Sequence, residues 1–275
     1  MDRTLFTPPM IETFRVCRRA YQLAFIPSSE SAEVKSAGAV CKRFILKALA
    51  EINRGRLTTV HHIQKFLGLH WPADTINQEE CVKAFLFTYK TLIKYISAPY
   101  RPEAAQVVGV SLKVRARIPH NRAYVEDTFD LILWHPKERR LELVDFHIHP
   151  LKALDQAWPS PSLLVKQFLA DRLRVRWPFE KLTMTFCRVS PQGFTTAGVT
   201  ADDLLYKAHW PSIVNTIEEM KSFESSPSHL TPACLCQRCA ALARESALAE
   251  RQRPARDNAQ AVRERPARGA GPQVA

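Results

Sequence analysis

Apolar residues recur at helical spacing along the first hundred positions, and then the period changes. In the segment TPPMIETFRVCRRAYQLAF, residues 7–25, Met10, Ile11, Phe14, Tyr21 and Phe25 share a stripe that Thr7 and the Pro8–Pro9 pair would open. The spacing predicts a helix over 7–25, interrupted by Arg18 and Arg19. A second helix is predicted over about 32–53, with Val40, Phe44, Ile45, Ala48 and Leu49 on one face. Residues 54–100 read as two or three more helical pieces broken near Gly68–Pro72. Phe85, Phe87, Tyr89, Leu92, Ile93, Tyr95 and Ile96 make the last of them strongly apolar.

From residue 108 the alternation has a period of two. Val108, Val110, Leu112, Val114, Ala116 and Ile118 alternate with Lys113, Arg115 and Arg117, the pattern of a half-buried strand. Pro119–Asn121 marks a turn, and residues 124–134 (YVEDTFDLILW) and 141–149 (LELVDFHIH) are two further strands. Residues 161–175 return to helix, 181–189 (KLTMTFCRV) form a fourth strand, and 193–199 a short extended piece before a helix over about 202–223. Helices, a three-strand meander, a crossover helix and another strand predict a mixed α/β sheet and not a doubly wound one.

Composition narrows the class. With 275 residues, 46% hydrophobic and 24% charged, the chain is long enough for one full domain with an elaboration or tail. No run of 18 apolar residues predicts a transmembrane helix, and the first residues lack a signal-peptide pattern. Seven irregularly spaced cysteines fit a cytoplasmic chain with reduced thiols or a metal site better than a secreted disulfide scaffold. Lys and Arg number 39 against 27 acids, a net charge of +12. The Ala/Arg/Gln/Pro-rich stretch 244–275 has seven Arg and four acids, so its surplus of 3 leaves +9 to the rest. That stretch is expected to be a disordered tail. A basic surplus of this kind favours polyanions, nucleic acid first among them.

Two acids stand inside apolar strand sequence, Asp130 in FDLIL and Asp145 in LVDFHIH. His147, two residues after Asp145, leaves the same strand face. Buried carboxylates are costly unless paired or metal-bound, and two on neighbouring strands repel unless a cation neutralises them. A hard divalent ion, Mg²⁺ or Mn²⁺, meets that need through carboxylate oxygens, a backbone carbonyl and water, and can promote phosphodiester hydrolysis. The alternative is that both acids are solvated or hydrogen-bonded at strand ends.

Several stretches together resemble the PD-(D/E)XK nuclease superfamily, most closely the RecB-like nuclease domains of the AddAB helicase–nucleases and the CRISPR-associated RecB-like exonucleases. TPPMIETFRVCRRAYQLAF resembles the N-terminal pattern of that group and SAGAVCKRFILKAL its Gly-led helix. VEDTFDLIL is similar to the acid-bearing strand, LVDFHIHP to the Asp-x-Lys strand, and KQFLADRL to the helix whose Gln contacts the site. The resemblance covers most of residues 5–240. It implies a restriction-endonuclease-like mixed central sheet with flanking helices and an N-terminal helical elaboration. One domain would span 1–243, helical to about 105, with its sheet core over 106–225 and a Cys cluster at 234–239. It further implies a metal-dependent DNA nuclease in which Asp130, Asp145 and the carbonyl of Phe146 hold Mg²⁺ or Mn²⁺ and Gln167 orients the site.

Three departures from the pattern bear on activity. Lys42 stands where the group has a metal-binding His, His147 where it has the catalytic Lys, and Asp127 where a Gly precedes the first acid. His147 can act as base or ligand but is not a fixed cation, and Lys42 would contribute charge from the neighbouring helix. With these changes the alternative expectation is an inactive domain that binds DNA or serves as a scaffold. The resemblance also implies a [4Fe–4S] cluster held by Cys17, Cys234, Cys236 and Cys239. The Cys-x-Cys-x-x-Cys spacing is tighter than usual, and zinc or unligated thiols are the alternatives. Cys41, Cys81 and Cys187 read as packing residues. Arg18 and Arg19 are candidate nucleic-acid contacts, whereas Lys113, Arg115 and Arg117 read as a solvated basic face. A helicase or CRISPR-type partner follows from the resemblance alone.

Overall fold

Six strands form one mixed sheet with helices on both faces. The computed structural model describes residues 4–26, 37–71, 78–149 and 160–225. Cys234, Cys236, Cys239 and the stretch 244–275 lie outside the described residues.

The sheet is built around β3 (Tyr124–His135). Strand β2 (Gln106–Arg117) pairs antiparallel with it along one edge. The other edge is shared: β1 (Leu5–Phe6) pairs in parallel at Tyr124–Val125, and β4 (Arg140–His147) pairs antiparallel from Leu131↔Val144 to His135↔Arg140. Next come β5 (Lys181–Ser190), parallel to β4, and β6 (Gly193–Thr200), antiparallel to β5. The parallel pair needs a crossover, and α6 (Pro161–Asp171) lies in it. Ser160 caps α6, its hydroxyl accepting from the Leu163 N–H at 3.3 Å, with Pro161 in the first turn.

Each sheet face has its own core. On one, Phe6, Val114, Ala116, Val125, Phe129, Leu143 and Met184 pack under α1 (Pro8–Val16), α6 and α7 (Asp203–Ser225). On the other, Leu131, Leu133, Val144, Phe146, Cys187 and Val189 pack under α3 (Ala37–Asn53), α4 (Val60–His70) and α5 (Gln78–Ser97). This is the predicted mixed α/β sheet with flanking helices and a helical N-terminal elaboration. No helix among the described residues is long and apolar enough to cross a membrane.

Three local features differ from the periodicity. The helix expected over 7–25 is two helices, α1 and α2 (Arg18–Phe25), because Cys17 is extended at φ −163° and its Sγ caps α2 by accepting from the Ala20 N–H at 3.4 Å. The helix begun at Pro161 ends at Asp171 rather than 175. Strand β1, only two residues long, had no periodic signal.

Candidate active site

Strands β3 and β4 separate at one point, and the acids lie there. Their ladder ends at Leu131↔Val144, so the Phe146 N–H loses a partner on β3. Asp130 replaces it: its Oδ2 accepts the Phe146 N–H at 2.9 Å. The pleat of β3 also slips here, since Phe129 and Ile132 enter one core and Leu131 and Leu133 the other. Opposite, the β2 register passes from Val110↔Leu131 to Leu112↔Phe129 across Ser111, which is left-handed at φ 49°. Nearby, a Cβ on Gly109 would meet Ile132 Cδ1 at 3.0 Å, so glycine permits the close approach. Burial, and then the charge of Asp145, push the Asp130 carboxyl up to about 6; the Phe146 N–H and Lys166 oppose the shift.

The cation facing these acids comes from α6. Lys166, only 6% exposed, donates to Asp127 Oδ2 at 2.7 Å and to Asp145 Oδ1 at 3.1 Å, with Asp145 Oδ2 at 3.0 Å. Its ammonium also lies 5.4 Å from the Phe129 ring centroid. Burial alone pulls the Lys166 pKa down, but Asp145 and Asp127 outweigh it and hold the ammonium above the ordinary lysine value. The sequence reading did not single out Lys166. The signal was there: one lysine stands among Leu163, Leu164, Val165, Phe168 and Leu169 on a helix whose middle is wholly buried.

Successive helical residues are about 100° apart, so Gln167 leaves α6 in a different direction from Lys166. The Gln167 amide donates to Asp203 Oδ1 at 2.9 Å at the start of α7, and its buried Oε1 has no partner among the described residues. His147 is on the acid side of β4, its ring 5.6 Å from that of Phe186. Burial lowers its pKa, Asp145 opposes this, and Lys42, Lys166 and His149 add to the lowering. Lys42 is exposed on α3, yet its charge is felt at His147.

The remaining candidates are held within the fold. Cys17 is buried in the break between α1 and α2. Arg18 pairs with Glu219 at 2.8 Å and lies over the Phe14 ring; Arg19, beside it, is partly exposed. Lys113 pairs with Glu126 at 2.6 Å, Arg115 lies over Tyr124 at 4.3 Å, and Arg117 donates to the Asn121 carbonyl. On the opposite sheet face, buried Glu142 accepts from Thr185, Tyr100, His135 Nε2 and Arg140 at 2.6, 2.7, 2.8 and 3.2 Å. Burial raises the Glu142 pKa, but these donors outweigh it and the net shift is downward.

Among the described residues, no group of three or more His, Cys, Asp and Glu side chains is arranged to hold a metal ion. What the acid site offers is two carboxylates and main-chain oxygen. That is hard-donor chemistry, and a divalent cation would reverse the raised pKa of Asp130. The donors fit Mg²⁺ or Mn²⁺ in kind, with Lys166 as the resident counter-charge.

The class these features define is a mixed α/β sheet that forks at an acid pair. No family model matches the chain, and no curated protein matches it in sequence. In three dimensions it is similar to the crystal structure of a "Putative exonuclease" from Eubacterium rectale, with a TM-score of 0.50 and 10% identity over 86% of this chain and 88% of that one. At that identity the likeness is one of fold.

Proposed function

We propose that this chain is a metal-dependent DNA nuclease of the RecB-like type. The observation that supports it best is the convergence of Asp130, Asp145 and buried Lys166 where β3 and β4 part. Asp130 and Asp145, with the Phe146 carbonyl, would hold Mg²⁺ or Mn²⁺, which when bound supplies Lewis acidity and a more acidic water. The protein's own part is positional. The Phe146 N–H fixes Asp130, and Lys166 fixes Asp145 through both carboxylate oxygens. Lys166 also supplies the permanent cation that position 147 lacks, reaching the acids from the helix instead of the strand. Lys42 adds charge beside His147. In the same reading, Cys17 joins Cys234, Cys236 and Cys239 around an iron–sulfur cluster, with zinc as the alternative. The fold likeness to a protein described as an exonuclease agrees with this class of activity.

A second reading has its own observation. Lys166 bridges Asp127 and Asp145, which would satisfy both acids without a metal in an inactive DNA-binding domain. Mn²⁺ titration by calorimetry separates the two. The nuclease reading expects saturable binding that Asp145→Ala abolishes; equal heats from both proteins contradict it.

A further inference from the structure

Beside Asp145, on its sheet face, two buried nitrogen atoms make no hydrogen bond to any described residue: His147 Nε2 and Arg188 Nε. His147 ends β4, Arg188 lies in β5, and the parallel register sets them opposite each other. Their Cα atoms are thus neighbours across one strand spacing, about 5 Å. Register partners project to the same face. Phe146 and Cys187 enter the α3–α5 core, so His147 and Arg188 project to the α6 side, as the His147–Phe186 contact requires.

Buried polar atoms without partners are rare in folded proteins, and two side by side need a ligand with acceptors or a structural reason. No strand ladder explains them, because both are side-chain atoms. The next strand extends the feature: Thr195 of β6 pairs with Arg188 and is exposed. A guanidinium, an imidazole and a hydroxyl therefore lie across three adjacent strands. Guanidinium geometry suits oxyanions, phosphate above all. The Asp145 charge that would repel an anion is offset by Lys166, and Lys42 adds positive charge near His147.

We infer that His147 and Arg188 form a phosphate-binding notch that seats a phosphate of the nucleic-acid strand next to the bond presented at Asp130 and Asp145. The identity of the strand rests on the nuclease reading; the phosphate chemistry rests on the two nitrogen atoms. The occupant is a terminal phosphomonoester or an internal phosphodiester.

The test uses full-length ¹⁵N-labelled protein in EDTA, where no cleavage occurs. The Arg188 Nε–H resonance is assigned by its loss in Arg188→Lys. Inorganic phosphate is titrated first, then oligodeoxynucleotides bearing a 5′-phosphate, a 3′-phosphate or hydroxyl ends. The expected result is a saturable shift of the Arg188 Nε–H signal with phosphate and with DNA. Affinity falls on the order of 10-fold or more in Arg188→Met, the scale of a charged hydrogen bond. Preference for one phosphorylated end identifies a phosphomonoester notch, and equal affinity identifies an internal diester. Arg188→Met should keep or raise the melting temperature, because it removes an unmet donor; a structural role would lower it. A signal unmoved by phosphate and by every oligonucleotide overturns the inference, as does unchanged affinity in Arg188→Met. Asp145-dependent cleavage, measured separately, judges the nuclease reading. Cleavage with a silent Arg188 overturns the notch alone, and a responsive Arg188 without cleavage overturns the nuclease reading alone.

Discussion

Replacing Lys166 by Met keeps the aliphatic stem of the side chain and removes the ammonium that faces Asp127 and Asp145. The pair is well shielded, the Lys166 side chain being 6% exposed and the carboxylates 20% and 19%. Removing one partner of a buried ion pair leaves an uncompensated charge and costs about 3–5 kcal/mol. In a chain of this size each kcal/mol moves the melting temperature by roughly 2–4 °C, so the expected loss is roughly 6–20 °C. Thermal and urea unfolding at pH 7.5 and low salt would measure it. Asp127→Asn in the Lys166→Met background should recover about 1 kcal/mol or more, the coupling expected of groups in contact. The Lys166 charge also holds the Asp130 pKa down, so the mutant's Asp130 should titrate above its wild-type value of about 6. A loss below about 1 kcal/mol, or strict additivity with Asp127→Asn, would refute the buried ion-pair reasoning.

Other outcomes follow from the same chemistry. Asp130 has a folded pKa of about 6 against a reference value of 3.8, so the folded state binds the extra proton and stability falls as pH rises between those values. Without metal, Asp130→Asn should therefore exceed wild type in stability above pH 6 by on the order of 3 kcal/mol, and the gap should close below pH 4; equal denaturation curves at pH 7.5 would contradict this. Glu142 has the opposite sign: its lowered pKa contributes stability above the ordinary glutamate value, and the contribution is lost as pH falls through the depressed folded value. Glu142→Gln should lower stability by about 2–4 kcal/mol near pH 7 and by much less in acid, and a pH-independent difference would count against the network. Cys187, fully buried with its thiol pushed up to about 12 by burial and Glu142, should resist alkylation in native protein at pH 8, as peptide mass mapping would show.

The strands and most helices were legible because their burial follows the periods of two and 3.6. Val114 and Ala116 are buried between exposed Lys113, Arg115 and Arg117, as alternation predicts. The break at Cys17 was not legible, since it depends on one extended backbone residue whose sulfur caps the next helix. The placement of Asp130 and Asp145 near one another could be read from strand order, but the pleat slip that turns Asp130 onto the Phe146 N–H could not. That Lys166 and not only Gln167 points at the site from α6 was not legible, a matter of about 100° in helix phase. An apolar helix surrounded by protein gives no stripe from which to set that phase. Arg188 was missed for a related reason: TFCRVS reads as alternation with a polar outer face, yet the Arg188 Nε is buried.

The most direct test of the hydrolytic claim is cleavage of end-labelled single- and double-stranded DNA in Mg²⁺ and in Mn²⁺. Wild type should be purified anaerobically and run beside Asp145→Ala. The account expects metal-dependent cleavage by wild type that EDTA and Asp145→Ala both abolish. DNA binding without cleavage in either metal would contradict it and leave Lys166 as the permanent substitute for a metal ion.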